Sequence, residues 1–78
     1  MSGAAKRQLA ALPEPVYVRV KPVLMTLRQN PRPRGCKKLT GAQTKYRLRV
    51  GDYRILYEVL DSEKIVRVYR IRHRSDAY

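Results

Sequence analysis

Lys45, Arg47 and Arg49 stand at alternate positions of one stretch, and Arg54 follows just across a Gly51-Asp52 pair. Arg72, His73 and Arg74 come near the end of the chain, and Tyr78 closes it. In extended backbone residues i, i+2 and i+4 share a face, so the first three cations project together. Arg54 joins them across the turn. Crowded guanidinium and ammonium groups hold multiply charged oxyanions, phosphates above all. Alternating charge along a strand is ordinarily just a solvated surface. Here nearly all the charges have one sign, with Glu58 as the acidic exception, and like charges opposite one another cost stability. A sequence that carries that cost is expected to gain a polyanion site by it. Arg74 and the two lysines of the Pro31–Lys38 stretch, Lys37 and Lys38, extend the same charge. Tyr53 and Tyr69 fit ordinary strand packing. Tyr78, in a polar tail, is the ring left to stack on a base. His73 is the one histidine, a candidate acid–base group.

The elements that position these residues follow from periodicity. Ser2 is a plausible N-cap for a helix over residues 2–12, which Pro13 and Pro15 end. Val16, Val20, Val23, Leu24 and Leu27 fall at i, i+4, i+7, i+8 and i+11, a helical stripe over residues 15–30. Val16, Val18 and Val20 also alternate as a strand would. Pro22 argues against a central strand, so the helix is favoured. Pro31, Pro33 and Gly35 make residues 31–38 a loop. From Leu39 the period becomes two: Tyr46, Leu48 and Val50, then Ile55, Tyr57 and Val59 across a Gly51-Asp52 hairpin, then Val66 and Val68. Asp61 to Lys64 form the second turn. The expected architecture is α+β: two N-terminal helices packed on one face of a three-stranded antiparallel sheet, as a single domain over 1–78.

Composition narrows the partner. Eighteen Lys and Arg against six Asp and Glu leave a net charge of +12 over 78 residues, with 44% hydrophobic content to fold around. Such a chain suits nucleic acid or another acidic partner. No apolar run approaches the roughly 20 residues of a membrane span, and the start lacks a signal-peptide core. One Cys and one His are too few for a zinc or iron–sulfur site. No metal or cofactor and a cytoplasmic location are therefore expected.

The run KLTGAQTKYRLRVGDYRILYEVLDSEKIVRVYRIRHRSDAY resembles the RelE/ParE superfamily of bacterial toxins from type II toxin–antitoxin operons. The KL-x-G entry, YRLRVGDYRILYEV across the hairpin and the closing IRHRSDAY carry the likeness, and AAKRQLAALP and PRPRG fit upstream. The resemblance implies a RelE-like fold, usually opened by a β-strand that is absent here, where Met1-Ser2 leads directly into the helix. It implies a toxin that cuts mRNA on the ribosome without a metal, or, in the ParE branch, a non-catalytic inhibitor of DNA gyrase. The arginines and Tyr78 favour the RelE branch. Carried over residue by residue, the catalytic set falls on Lys45, Arg47, Arg54, Arg72 and Tyr78, with His73 added as a candidate acid. RNA contacts extend to Arg49, Arg74, Lys37 and Lys38. Arg47, Arg54 and Arg72 would hold the phosphate, Lys45 would take the 2′-OH proton, and Arg72 or His73 would protonate the leaving oxygen. Tyr78 is the final residue, so its carboxylate would sit beside that site. The implied partners are an acidic antitoxin encoded in the same operon, in a heteromeric complex, and the ribosome with its mRNA. No membrane is implied.

Overall fold

Ser2 starts the first helix by capping it. Its extended backbone (ψ 161°) turns the hydroxyl toward the Ala5 N–H, which it accepts at 3.1 Å, one of the donors a helix start leaves unpaired. The computed structural model describes residues 1–41 and 43–76. Helix α1 spans Gly3–Ala10 and α2 spans Glu14–Leu27. Pro13 and Pro15 flank the start of α2, where no intrahelical N–H is needed. Pro22 lies inside α2 on an exposed turn, and the helix continues past it as its stripe requires. Both helices end short of their expected limits, at Ala10 rather than residue 12 and at Leu27 rather than residue 30. Residues 28 and 29 are a turn, because Asn30 precedes Pro31 and is steered out of helical backbone.

The sheet holds four antiparallel strands in the order β1 (Lys37–Lys38), β2 (Lys45–Val50), β3 (Tyr53–Leu60) and β4 (Ile65–His73). The expectation of three strands lacked β1. Past Gly35 nothing in the sequence bars extended backbone, and the two lysines pair with Arg47 and Tyr46. A two-residue edge of lysines also discourages edge-to-edge association. Gly51, at φ +58°, closes the β2–β3 hairpin, and Lys64, at φ 54°, closes the turn before β4. Val20 and Leu27 of α2 and Ala5 of α1 pack on Tyr46, Leu48, Ile55, Tyr57, Val59, Val68 and Ile71. Both helices therefore lie on one sheet face, and the other face is open.

Two features of β4 depart from a plain strand. The pairing with β3 shifts between Leu56, opposite Arg70, and Tyr57, opposite Val68, so Tyr69 is bulged out. The bulge moves the apolar set from even to odd positions, from Val66 and Val68 to Ile71. It thereby keeps Arg70 and Arg72 out of the core. The outer edge of β4 is also partly closed. Ser2 donates its N–H to the Val68 carbonyl (2.9 Å) and its hydroxyl to the Tyr69 carbonyl (3.0 Å), and the Ile71 N–H donates to Gln8 Oε1 (2.7 Å). No strand precedes α1 among the described residues, and α1 itself covers part of that edge.

Candidate nucleic-acid interface

The register sets the open face as rows across the strands. Arg49, Arg54 and Arg72 form one row, Arg47, Leu56 and Arg70 the next, and Lys45, Glu58 and Arg67 a third. Successive rows are about 7 Å apart along the strands. Gly35, Lys37, Arg47, Arg49 and Arg54 line a depression of about 150 Å³ at the β1 side. That equals roughly five water volumes, enough for a phosphate group. Arg72 belongs to β4 itself and completes the first row from the far side.

Several expected site residues lie elsewhere. Lys45 stands about 13 Å along β2 from Arg49, opposite Glu58, with its ammonium 5.4 Å from the Tyr69 ring centre. Arg47, which lines the depression, is its neighbour on the same face in the adjoining row. Glu58 accepts from the Thr44 hydroxyl at 3.1 Å and faces Arg67 at 3.9 Å. His73 pairs with Tyr53, a residue of core parity, and so points to the face opposite Arg72. Its ring meets Tyr53 edge-on at 5.0 Å, and its Nδ1 accepts the Ser75 N–H at 3.2 Å. That Nδ1 also lies 2.7 Å from the Ser75 hydroxyl. Lys38, opposite Tyr46, likewise falls off the arginine face, while Lys37 stays on it. Arg74 is fastened to the hairpin end: its N–H donates to the Asp52 carbonyl at 2.7 Å, and its guanidinium lies 4.0 Å from the Asp52 carboxylate. Tyr78 lies outside the described residues. Arg70 joins the open face because of the bulge, and the parity break between Val68 and Ile71 is the sequence signal for it.

The loop that walls the depression is held from the core side. Arg32 makes two hydrogen bonds to the Asp61 carboxylate (3.2 and 2.7 Å), donates Nε to the Tyr46 hydroxyl at 3.0 Å and lies 5.1 Å from that ring's centre. Asp61 holds the Arg32 guanidinium still more firmly protonated than usual, and Arg32 in turn lowers the Asp61 carboxyl below its ordinary range. The Tyr57 hydroxyl donates to the Pro31 carbonyl at 2.7 Å, and its ring stacks on Tyr46. Burial, with Cys36 nearby, pushes the Tyr57 phenol well above its ordinary value. Residues 31 and 32 are thus anchored before the chain turns at Gly35 (φ +93°) and delivers Lys37 to the pocket rim. Among the described residues no group of His, Cys, Asp and Glu stands close enough to hold a metal ion, and no helix is long and apolar enough to cross a membrane.

Two helices backing an open antiparallel sheet, with arginines in register across its exposed face, define a small RelE-like domain. The family model described as "ParE toxin of type II toxin-antitoxin system, parDE" matches residues 1–78. A relative from Methanocaldococcus jannaschii, "Putative toxin RelE1", is 33% identical over 75 residues, covering 92% of this chain and 83% of its own length. The solved RelE–RelB complex of Pyrococcus horikoshii OT3 superposes with a TM-score of 0.82 at 30% identity, over 97% of this chain and 92% of that one. The isolated E. coli RelE toxin shares the fold, with a TM-score of 0.80 at 24% identity over 92% of this chain and 78% of that one. The chain belongs to the ParE toxin family of type II toxin–antitoxin systems, within the RelE/ParE superfamily.

Proposed function

We propose that this toxin is a ribosome-dependent mRNA endoribonuclease whose cleavage centre is the arginine row of the open face. The observation that carries the reading is the in-register set Arg49, Arg54 and Arg72 beside a depression lined by Arg47 and Lys37. In the proposed step the 2′-oxygen attacks the adjacent phosphorus and passes its proton to water, and the bond to the 5′-oxygen breaks as that oxygen takes a proton from water. The products are a 2′,3′-cyclic phosphate and a 5′-hydroxyl. The extra negative charge of the phosphorane is what fixed guanidinium donors stabilise best. Arginine stays charged at all working pH values, so these groups clamp and polarise rather than shuttle protons. A pocket of arginines is therefore a weak acid–base catalyst by itself, which suits an enzyme that acts only where the ribosome aligns the RNA. Lys45 serves a flanking nucleotide in this scheme, and Tyr78 is retained as a ring that stacks beside the reacting group. Action on the ribosome makes the cytoplasm its place of work.

Complexes of relatives with RelB support a heteromeric antitoxin complex for this chain also. A groove of about 350 Å³ between α1, α2 and β4 is lined by Met1, Leu9, Leu24, Met25, Val66 and Val68, with Lys21 and Arg28 at its rim. An acidic amphipathic helix of the antitoxin suits both its floor and its charge.

The test is to incubate purified toxin with ribosome-bound mRNA and with the same mRNA free. Discrete cuts confined to the ribosome-bound message support the reading, and an intact message in both overturns it. A second reading, inhibition of DNA gyrase, is favoured by the family model, which is that of ParE. It expects intact mRNA and a loss of supercoiling activity.

A further inference from the structure

An aromatic ring, Tyr69, stands on the cationic face at the bulge in β4. Tyr69 is the extra residue: alternation from Val66 and Val68 places it on the open face with Arg67, and the bulge sets Arg70 on that face directly after it. Its ring is partly buried and reaches back across the sheet until the Lys45 ammonium on β2 stands 5.4 Å from its centre. Reaching Lys45 from β4 takes it past β3, where Leu56 and Glu58 are the open-face residues. Burial and the nearby Glu58 carboxylate raise its phenol above the ordinary value, as expected for a ring lying against that part of the sheet. Arg47, Arg67 and Arg70 belong to the same two rows.

We propose that Tyr69 is a nucleobase-stacking platform of this face, taking the base of a single-stranded RNA nucleotide one or two positions from the one held at the arginine row. An aromatic ring on an open antiparallel sheet, rimmed by cations, is an arrangement that stacks unpaired bases. The ring lies at the second and third rows, about 7 to 13 Å along the strands from the arginine row, a reach of one to two nucleotides of an extended strand. Lys45 occupies the ring in the free protein. When a base takes that place, the flexible lysine moves to the adjoining phosphate, so one cation serves both states. The ring is sequence-tolerant because every base has a π face. This inference rests on the RNA reading and names a subsite for it.

The experiment compares a short single-stranded RNA with the same oligonucleotide carrying abasic positions, at one fixed salt concentration. Wild-type toxin is expected to prefer the base-bearing strand about tenfold. Tyr69→Phe keeps the preference. Tyr69→Leu loses it but retains the affinity for the abasic strand, which charge alone sets. The chain contains no Trp, so Tyr69→Trp adds a direct reporter whose fluorescence is quenched by the base-bearing strand and not by the abasic one. The reporter decides the matter even where the leucine variant folds poorly. A Tyr69→Leu protein that keeps the wild-type preference, or equal quenching by both strands, overturns the platform. Wild-type cleavage of ribosome-bound mRNA is scored alongside. Base preference without cleavage sinks the nuclease reading and leaves the platform standing; cleavage without base preference does the reverse.

Discussion

Replacing Arg54 with alanine is the sharpest perturbation of the proposed cleavage centre. Arg54 is the middle of its row, opposite Arg49 on one neighbouring strand and Arg72 on the other, and it lines the depression with Arg47 and Lys37. In the proposed step its guanidinium is a donor to the developing charge, and truncation removes that donor from the phosphorane. Loss of one such donor costs about 10²–10³ in rate, or roughly 2.7–4 kcal/mol of transition-state stabilisation. Arg54→Lys retains the charge without the planar fork and should recover only part of the loss. Arginines stand opposite on both sides, so truncation relieves like-charge repulsion as it removes contacts, and the expected stability change stays within about 0.5 kcal/mol. The assay is single-turnover cleavage of mRNA on programmed ribosomes, with thermal melting of each variant in parallel. An Arg54→Ala protein that melts normally and cuts at the wild-type rate refutes the arginine row as the cleavage centre.

Four further outcomes are expected. With about five phosphate contacts to a single strand, log affinity for RNA should fall with log salt at a slope near about −3.5, and Lys37→Ala should reduce that slope by about 0.7; titrations at several salt concentrations read both. Tyr57→Phe leaves the Pro31 carbonyl without its donor, a cost of about 1–3 kcal/mol that thermal melting should show as a fall of at least about 4 °C. The lowered Asp61 carboxyl means that its pairing with Arg32 contributes fully above the unfolded carboxylate value and is lost as pH falls through the lower folded one; wild type and Asp61→Asn should differ at neutral pH and converge in acid. Met25 is 64% exposed in the apolar groove, so Met25→Glu should abolish binding of an acidic antitoxin, measured by co-purification, while leaving toxicity intact.

Much of this architecture could be read from local pattern. The Gly51-Asp52 turn fixes the β2–β3 register, and with it the opposition of Arg49 and Arg54. The apolar stripe of Val20 and Leu27 marks the buried side of α2 despite Pro22. Other features depend on contacts distant in sequence. The bulge at Tyr69 arises where Ser2 and Gln8, from the other end of the chain, take up polar groups of β4. Without it, alternation counted from Val66 would turn Arg70 and Arg72 toward the core. His73 follows the shifted parity and leaves the arginine face for Tyr53. Lys45 looked like a member of the site because it shares a face with Arg47 and Arg49. The structure adds what that pattern could not show: its ammonium stands over the Tyr69 ring of β4. The short β1 was illegible because its pairing to Arg47 and Tyr46 depends on how Arg32 and Tyr57 pin the preceding loop.

The most direct test of the central claim is made in cells. The toxin, wild type or Arg54→Ala, is induced at matched levels, mRNA ends are mapped by primer extension, and plasmid supercoiling is followed in the same cultures. Discrete new ends within translated messages, absent from the Arg54→Ala culture and with supercoiling unchanged, are the predicted result. Growth arrest with intact messages and relaxed plasmids would contradict it.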